Sequence, residues 1–381
     1  MPFGDFATRE DIYGIITRTL TRHYGNNVRV TKKREKTNPK DTMYCFPRIG
    51  VIIPQKPCKS IFKQIKREYR ITHSLFRRMI MDVYIACIFS APNLFCEKKL
   101  EFPSGIVHND MFIEPGNKKI KIINYNTKTI NNIIKEGFKS NWIEKEIEFR
   151  TENKKDYIIP LIRTVEGYDE SLHIGYSFPR LKDSEKQQLQ SSVDSMLLDY
   201  STIEGDVTGK EYLGSLIKKI VSSIQSLKSI QVLDLIDLLN KICASIENES
   251  ITLCLSHGDL QQGNIFFDIE QKKIYLIDWE TWNKRSTWYD KFLYYYGFRN
   301  STKLAINIHN YLNEGGTKVV GEAIDRRVQI IALLTFIIED IKWQIDEMEV
   351  LPSGSISNGL NEYLKKDNVE YIKALLNEVS E

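Results

Sequence analysis

The sequence predicts an α+β protein in which a β-rich part precedes a helical one. Short β-prone runs at Gly105–Ile113, Lys119–Tyr125 and Thr129–Lys135 are separated by turn residues such as Pro115-Gly116-Asn117, with further runs at Tyr157–Thr164 and Ser171–Phe178. Helical patterns dominate afterwards, at Glu211–Leu227, Ile230–Ile246, Thr302–Leu312, Val319–Met348 and Asn361–Glu378. At 381 residues and 42% hydrophobic content, the chain suits two packed lobes, or two lobes and an appendage. The expected division is a basic, mainly helical N-terminal extension over residues 1–100, a β-rich lobe over 101–180 and a helical lobe over 181–381.

The N-terminal part carries the charge asymmetry. Net charge is only +3, yet residues 1–80 hold eighteen Lys/Arg against six Asp/Glu. Two readings fit: a surface for an anionic partner (nucleic acid, phosphopolymer or acidic membrane), or a solvated face balanced by the acidic remainder. No nucleic-acid-binding module is visible in it. Within it, Ile12, Ile15, Ile16 and Leu20 form a helical stripe, and Lys59–Phe89 reads as one long helix or two. Met79–Pro92 is apolar but short and follows Arg77-Arg78, so a buried helix is expected rather than a membrane span. Met1–Glu10 lacks a basic-then-apolar signal pattern. The six cysteines show no C-x-x-C spacing, which fits a reduced, cytoplasmic setting. Leu351–Gly359 reads as a flexible loop.

The chemistry concentrates in Ser256–Glu280. His257, Asp259 and Asn264 stand in the spacing H-x-D-x-x-x-x-N, and Asp278 follows after two short β-prone runs, Ile265–Phe267 and Ile274–Ile277. Phosphoryl transfer from ATP requires one carboxylate at the acceptor hydroxyl, and an amide with a second carboxylate on the Mg²⁺ ions of the triphosphate. A loop carrying Asp and Asn, then a hairpin ending on Asp, supplies those groups in that order. A lone Asp or Asn would more often be only a turn former; four such residues at this spacing read as a catalytic loop.

The segments H-G-D-L-Q-Q-G-N and I-D-W-E resemble the aminoglycoside phosphotransferase and choline kinase-like family, which has a bilobal protein-kinase-like fold. The resemblance is specific over Ile251–Tyr296 and weaker through Lys118–Leu181. Gln261-Gln262 stands where many members have His-Pro, which leaves the catalytic positions intact. The resemblance implies that Asp259 orients and deprotonates the acceptor hydroxyl, that Asn264 and Asp278 bind Mg²⁺, and that His257 braces the loop. Asp290 matches a family position beyond the metal segment and reads as an anchor for the loop.

Such a fold needs a lysine on the ATP phosphates and a helix carboxylate to hold it. Lys135, ending the β-branched run I-N-N-I-I-K, is the expected lysine, with Lys121 as the alternative. At about 100° per residue, Trp142, Ile143, Ile147 and Phe149 define an apolar arc centred beside Glu146, so Glu146 rather than Glu144 or Glu148 is the expected partner. Gly105 or Pro115-Gly116-Asn117 could cover the phosphates, although neither is a G-x-G-x-x-G loop. Tyr176-Ser177-Phe178-Pro179 fits the lobe connection, with its backbone on adenine.

The acceptor is the open question. An ATP- and Mg²⁺-dependent transfer to a small-molecule hydroxyl (a sugar, amino alcohol or aminoglycoside-like compound) is the primary reading. The alternative is a protein- or phosphopolymer-directed kinase docked through the basic N-terminal region. Trp279, Trp282, Trp288, Tyr289 and Tyr294–Tyr296 could stack on sugars or cage a quaternary ammonium, or could be core residues of a helical lobe. A sugar fits the mixed charges better than a polycationic antibiotic.

Overall fold

The computed structural model describes residues 11–69, 75–116, 118–138, 140–224, 230–299, 303–320, 323–350, 360, 363 and 365–380. The Leu351–Gly359 loop, Met1–Glu10 and Asn117 of the candidate phosphate turn lie outside the described residues. The chain divides into two units, one of residues 1–182 with 266–280, the other of 183–265 with 281–381.

The first unit is built on a nine-stranded antiparallel sheet. Its strands are β1 (Arg29–Lys32), β2 (Thr42–Phe46), β3 (Val51–Pro54), β4 (Lys98–Glu101), β5 (Met111–Pro115), β6 (Lys119–Asn124), β7 (Thr129–Ile134), β8 (Leu161–Thr164) and β9 (Gly167–Ser171). They run in the order β1-β4-β2-β3-β5-β6-β7-β9-β8. Four helices accompany the N-terminal strands: α1 (Ile12–Tyr24), α2 (Lys59–Tyr69), α3 (Leu75–Ser90) and the short α4 (Pro92–Phe95). Helix α5 (Asn141–Glu152) follows β7. Asp11 caps α1 through a 3.0 Å bond from the Gly14 amide, and Gly25 closes it in the left-handed region.

This corrects the expected N-terminal boundary. Residues 29–101 do not form a separate, mainly helical extension; they contribute β1–β4 to the same sheet as the later strands. The reason is burial on two faces. Thr42–Phe46 and Val51–Pro54 are buried at every position, so they show continuous apolar runs instead of alternation. Ile16 and Leu20 of α1 pack with Met43, Cys45 and Ile52 on one side of the sheet. Ile61, Ile65, Ile85 and Ile88 of α2 and α3 pack with Tyr44, Phe46 and Ile53 on the other.

A second sheet in this unit joins β10 (Gly175–Ser177), β13 (Ile265–Asp268) and β14 (Lys273–Leu276). The chain thus returns to the first unit after residue 265, a crossing that no composition shift announces. Trp279 follows β14, is fully buried and stacks on Phe149 of α5, with ring centroids 4.3 Å apart.

The second unit is helical, with α6 (Asp183–Tyr200), α7 (Gly209–Ile224), α8 (Ile230–Ser245), α9 (Tyr289–Lys291), α10 (Leu304–Asn313), α11 (Thr317–Val320), α12 (Arg326–Val350) and α13 (Lys366–Ser380). A three-stranded sheet completes it: β11 (Ile203–Thr208), β12 (Ser250–Ser256) and β15 (Asn283–Ser286) in the order β11-β12-β15. One aliphatic and aromatic core runs from Leu213 to Val379. Among the described residues no helix is long and apolar enough to cross a membrane.

Candidate active site

In the helical unit, β12 leads directly into the loop carrying His257, Asp259 and Asn264. Asp290 of α9 anchors this loop from below: its buried carboxylate accepts the amides of His257 (2.6 Å) and Gly258 (3.0 Å) and the Tyr200 hydroxyl (2.9 Å). Gly258 is obligatory, because its φ is +81° and a Cβ there would lie 2.2 Å from the Thr281 carbonyl oxygen. The His257 side chain is buried, and its Nδ1 lies 3.3 Å from the Asp259 amide. Removing the anchor exposes its worth. Asp290→Ala leaves three buried donors without an acceptor and is expected to lower unfolding stability by about 3 kcal/mol, read by urea denaturation.

The Asp259 carboxylate is held on both oxygens. Oδ1 accepts from Gln261 Nε2 (2.8 Å) and Arg299 Nη1 (2.7 Å), and Oδ2 lies 3.2 Å from Asn264 Nδ2. The same Asn264 nitrogen donates to the Asp259 carbonyl at 2.7 Å. Arg299 also reaches the Gly258 carbonyl (2.9 Å), the Tyr289 hydroxyl (2.8 Å) and Asp340 (3.3 Å), and its guanidinium stacks 3.5 Å from the Trp343 ring centroid. The sequence reading missed Arg299. It lies forty residues beyond Asp259 and belongs to no motif; only the tertiary fold brings it there.

In the β-rich unit, Glu146 is buried on the inward face of α5, as the helical arc places it. Its partners are Lys119 of β6 (2.9 Å) and Arg150 one turn on (3.0 Å). Lys119 bonds Asp278 (3.1 Å) and the Tyr168 hydroxyl (3.0 Å) as well. Burial would pull the Lys119 ammonium down, but Glu146, Tyr168, Asp278 and Glu280 outweigh it and hold the charge firmly on. Burial likewise pushes Glu146 up, but Lys119 and Arg150 prevail and keep its carboxyl below the usual range.

Here the structure corrects the lysine. Glu146 is taken by Lys119, not by Lys135 or Lys121. The cause is strand alternation: in the β6–β7 ladder Lys119 sits opposite Ile134, and Lys135, whose amide donates to the Lys118 carbonyl, is one residue further along the same register and so belongs to the other face. The buried Lys135 side chain places its nitrogen 5.6 Å from the Phe138 ring centroid. Lys121 faces Glu114 across the β5–β6 ladder.

Asp278 ends the β14 segment with φ +62°, a left-handed conformation that an aspartate tolerates better than most residues. The turn aims its carboxylate at Lys119 and leaves the side chain about a third exposed. Two residues on, Glu280 pairs with Lys118 at 3.1 Å. Burial raises the Glu280 carboxyl, an effect that Lys118 and Lys119 offset in part.

Beside these charges the β-rich unit encloses a cavity of about 180 Å³. Ile123, Ile130, Ile159, Leu172, Phe266, Leu276 and Ile277 line its apolar part, and Glu114, Lys121, Glu146, Arg150, Glu170, His173 and Asp278 line its polar part, so Lys121 as well as Glu146 faces this cavity. The Tyr176–Phe178 segment borders the same region through β10, which pairs with β13; Phe178 is buried and Tyr176 lies under Arg67 at 5.0 Å.

The aromatic residues considered as an acceptor cage are mostly core. Trp279, Tyr289, Tyr294 and Tyr296 are buried. The chain's own cations occupy several of the rings: Arg285 lies 4.7 Å from the Tyr289 centroid and Lys318 5.5 Å from that of Tyr296.

Residues 172–314 match the Choline/ethanolamine kinase family model. Among solved structures, a choline/ethanolamine kinase family protein from Mesorhizobium loti is 11% identical and covers 79% of this chain and 99% of its own, with a TM-score of 0.48. A Plasmodium vivax ethanolamine kinase is 13% identical, covering 83% and 93%, with a TM-score of 0.45. The choline kinase LicA from Streptococcus pneumoniae is 16% identical, covering 72% and 92%, with a TM-score of 0.42. No curated protein sequence matches the chain. The match to the Choline/ethanolamine kinase family model thus takes in both the Asp259 loop and the Asp278 segment, over 143 of the 381 residues.

Proposed function

We infer that the protein transfers the γ-phosphate of Mg-ATP to the hydroxyl of a small amino alcohol or related polyol. The observation that carries this reading is the Lys119 ammonium, held by Glu146 and Asp278, two carboxylates that line a cavity of mixed polar and apolar walls. The aliphatic and aromatic part of that wall suits a purine base, and a fixed cation beside it suits a triphosphate.

The residues have separable roles. Lys119, held by Glu146, neutralises the phosphates of ATP. The backbone of Tyr176–Phe178 borders the base. Asp259 orients the acceptor hydroxyl and takes its proton, while His257 and Asp290 keep the loop in shape. Mg²⁺ fits the donors present. Among the described residues no three His, Cys, Asp or Glu side chains gather as a protein-only cage. Mg²⁺ on a nucleotide needs fewer, since it keeps phosphates and waters among its ligands. The candidate protein ligands are the Asp278 carboxylate in the β-rich unit and the Asn264 amide oxygen in the helical unit, each taken by itself; a bound ion would supply charge neutralisation for the transferring phosphoryl group.

The acceptor class follows the family domain, whose description names choline and ethanolamine. ADP release with Mg-ATP should be measured against separate pools of amino alcohols, neutral sugars and aminoglycosides. Stimulation by the amino-alcohol pool is the expected result. Stimulation by sugars alone would move the acceptor to a neutral polyol, and stimulation by none of the pools would sink the small-molecule reading in favour of a macromolecular acceptor.

A further inference from the structure

Helix α3 is apolar on two opposite faces, and the described residues cover only one. Ile85 and Ile88 are buried, with Met81, Tyr84 and Phe89 packed alongside, against the sheet. On the other side Leu75, Phe76, Met79 and Val83 are 75%, 71%, 68% and 63% exposed, and Ile80 is half exposed. At about 100° per residue these five share one arc of roughly 140°. Leu94 and Phe95 of the adjoining α4 extend the exposed apolar surface. A patch of this extent marks a docking surface.

Its surroundings are cationic. Arg77 and Arg78 are exposed on α3, and Lys59 and Lys63 are exposed on α2, which packs beside it. The one acid on α3, Asp82, lies 3.5 Å from Lys66. Lys33 donates to the Leu94 carbonyl, adding a cation beside α4. An acid-poor, Arg/Lys-flanked helix with Leu, Phe, Met, Ile and Val on its open face has the chemistry of an interfacial helix on an anionic bilayer. A second copy is the poorer occupant, because a two-fold contact would set each copy's cations against the other's.

We propose that the exposed face of α3 with α4 docks on anionic phospholipid membranes, the apolar side chains entering the headgroup boundary and the flanking Lys and Arg pairing with lipid phosphates and carboxylates. This surface would hold the kinase at a bilayer, whatever its acceptor.

The test is sedimentation of the full chain with sucrose-loaded vesicles of phosphatidylcholine alone or with about 30% phosphatidylserine. Wild type is expected to bind the anionic vesicles about tenfold more than the neutral ones, with binding falling as salt rises. Met79→Glu/Val83→Glu should abolish binding, and Arg77→Gln/Arg78→Gln should weaken it, while ADP release and the melting midpoint stay at wild-type values. Wild type that remains in the supernatant with both vesicles overturns the proposal. So does undiminished binding by Met79→Glu/Val83→Glu. If light scattering shows a wild-type dimer that the same double variant dissociates, a second copy covers the face and the membrane reading fails. The vesicle result is independent of phosphotransfer, so its failure is distinguishable from failure of the kinase reading.

Discussion

Asp259→Asn is expected to lower kcat by on the order of 10³-fold while leaving ATP binding near wild type. The substitution keeps the side chain's shape, so Oδ1 still accepts from Gln261 and Arg299. It removes the charge and the proton-accepting oxygen at the position where the acceptor hydroxyl must be oriented. The new amide would also face Asn264 Nδ2, now 3.2 Å from Asp259 Oδ2, as donor against donor, which costs about 1 kcal/mol of loop stability at most. Single-turnover phosphate transfer, run beside a nucleotide titration, separates the two effects. A variant that transfers phosphate at the wild-type rate would remove Asp259 from the chemistry and leave it a loop former.

Lys119→Met is expected to show the complementary split: weaker ATP binding together with slower transfer, with kcat/KM for ATP down by on the order of 10²-fold, equivalent to about 2.7 kcal/mol of transition-state stabilisation. Methionine keeps much of the buried stem. Glu146 keeps its 3.0 Å contact with Arg150, so the buried carboxylate is not left alone and the fold should survive. Lys135→Met is the informative control. If Lys135 and not Lys119 carried the phosphates, the larger kinetic loss would fall on that variant. Nucleotide binding by calorimetry and steady-state kinetics on both proteins decide between them.

The contrast between these two lysines shows what sequence reasoning could reach. Glu146 was legible because an α-helix has a fixed angular step, and the apolar residues of Asn141–Arg150 leave one glutamate on their inward side. The lysine was not, because which lysine shares a face with Glu146 depends on where β6 and β7 begin and pair: Lys119 lies on one face of the ladder, and the next pair, Lys118 with Lys135, on the other. Lys119 stands first in its strand, directly after a turn, where no local pattern distinguishes it. The N-terminal strands were hidden for a related reason: β2 and β3 are covered on both faces and lack the alternation that betrays a half-exposed strand.

By itself the sequence determined the α+β class, the β-rich-then-helical order and the Asp259, Asn264 and Asp278 series, because each rests on short-range spacing along the chain. The tertiary structure alone decided that residues 29–101 share a nine-stranded sheet, that Glu146 holds Lys119, and that Arg299 clamps Asp259. Those outcomes turn on strand register and on contacts between distant segments. Both are set by which buried surfaces pack together, and neither leaves a periodic trace in the residues themselves.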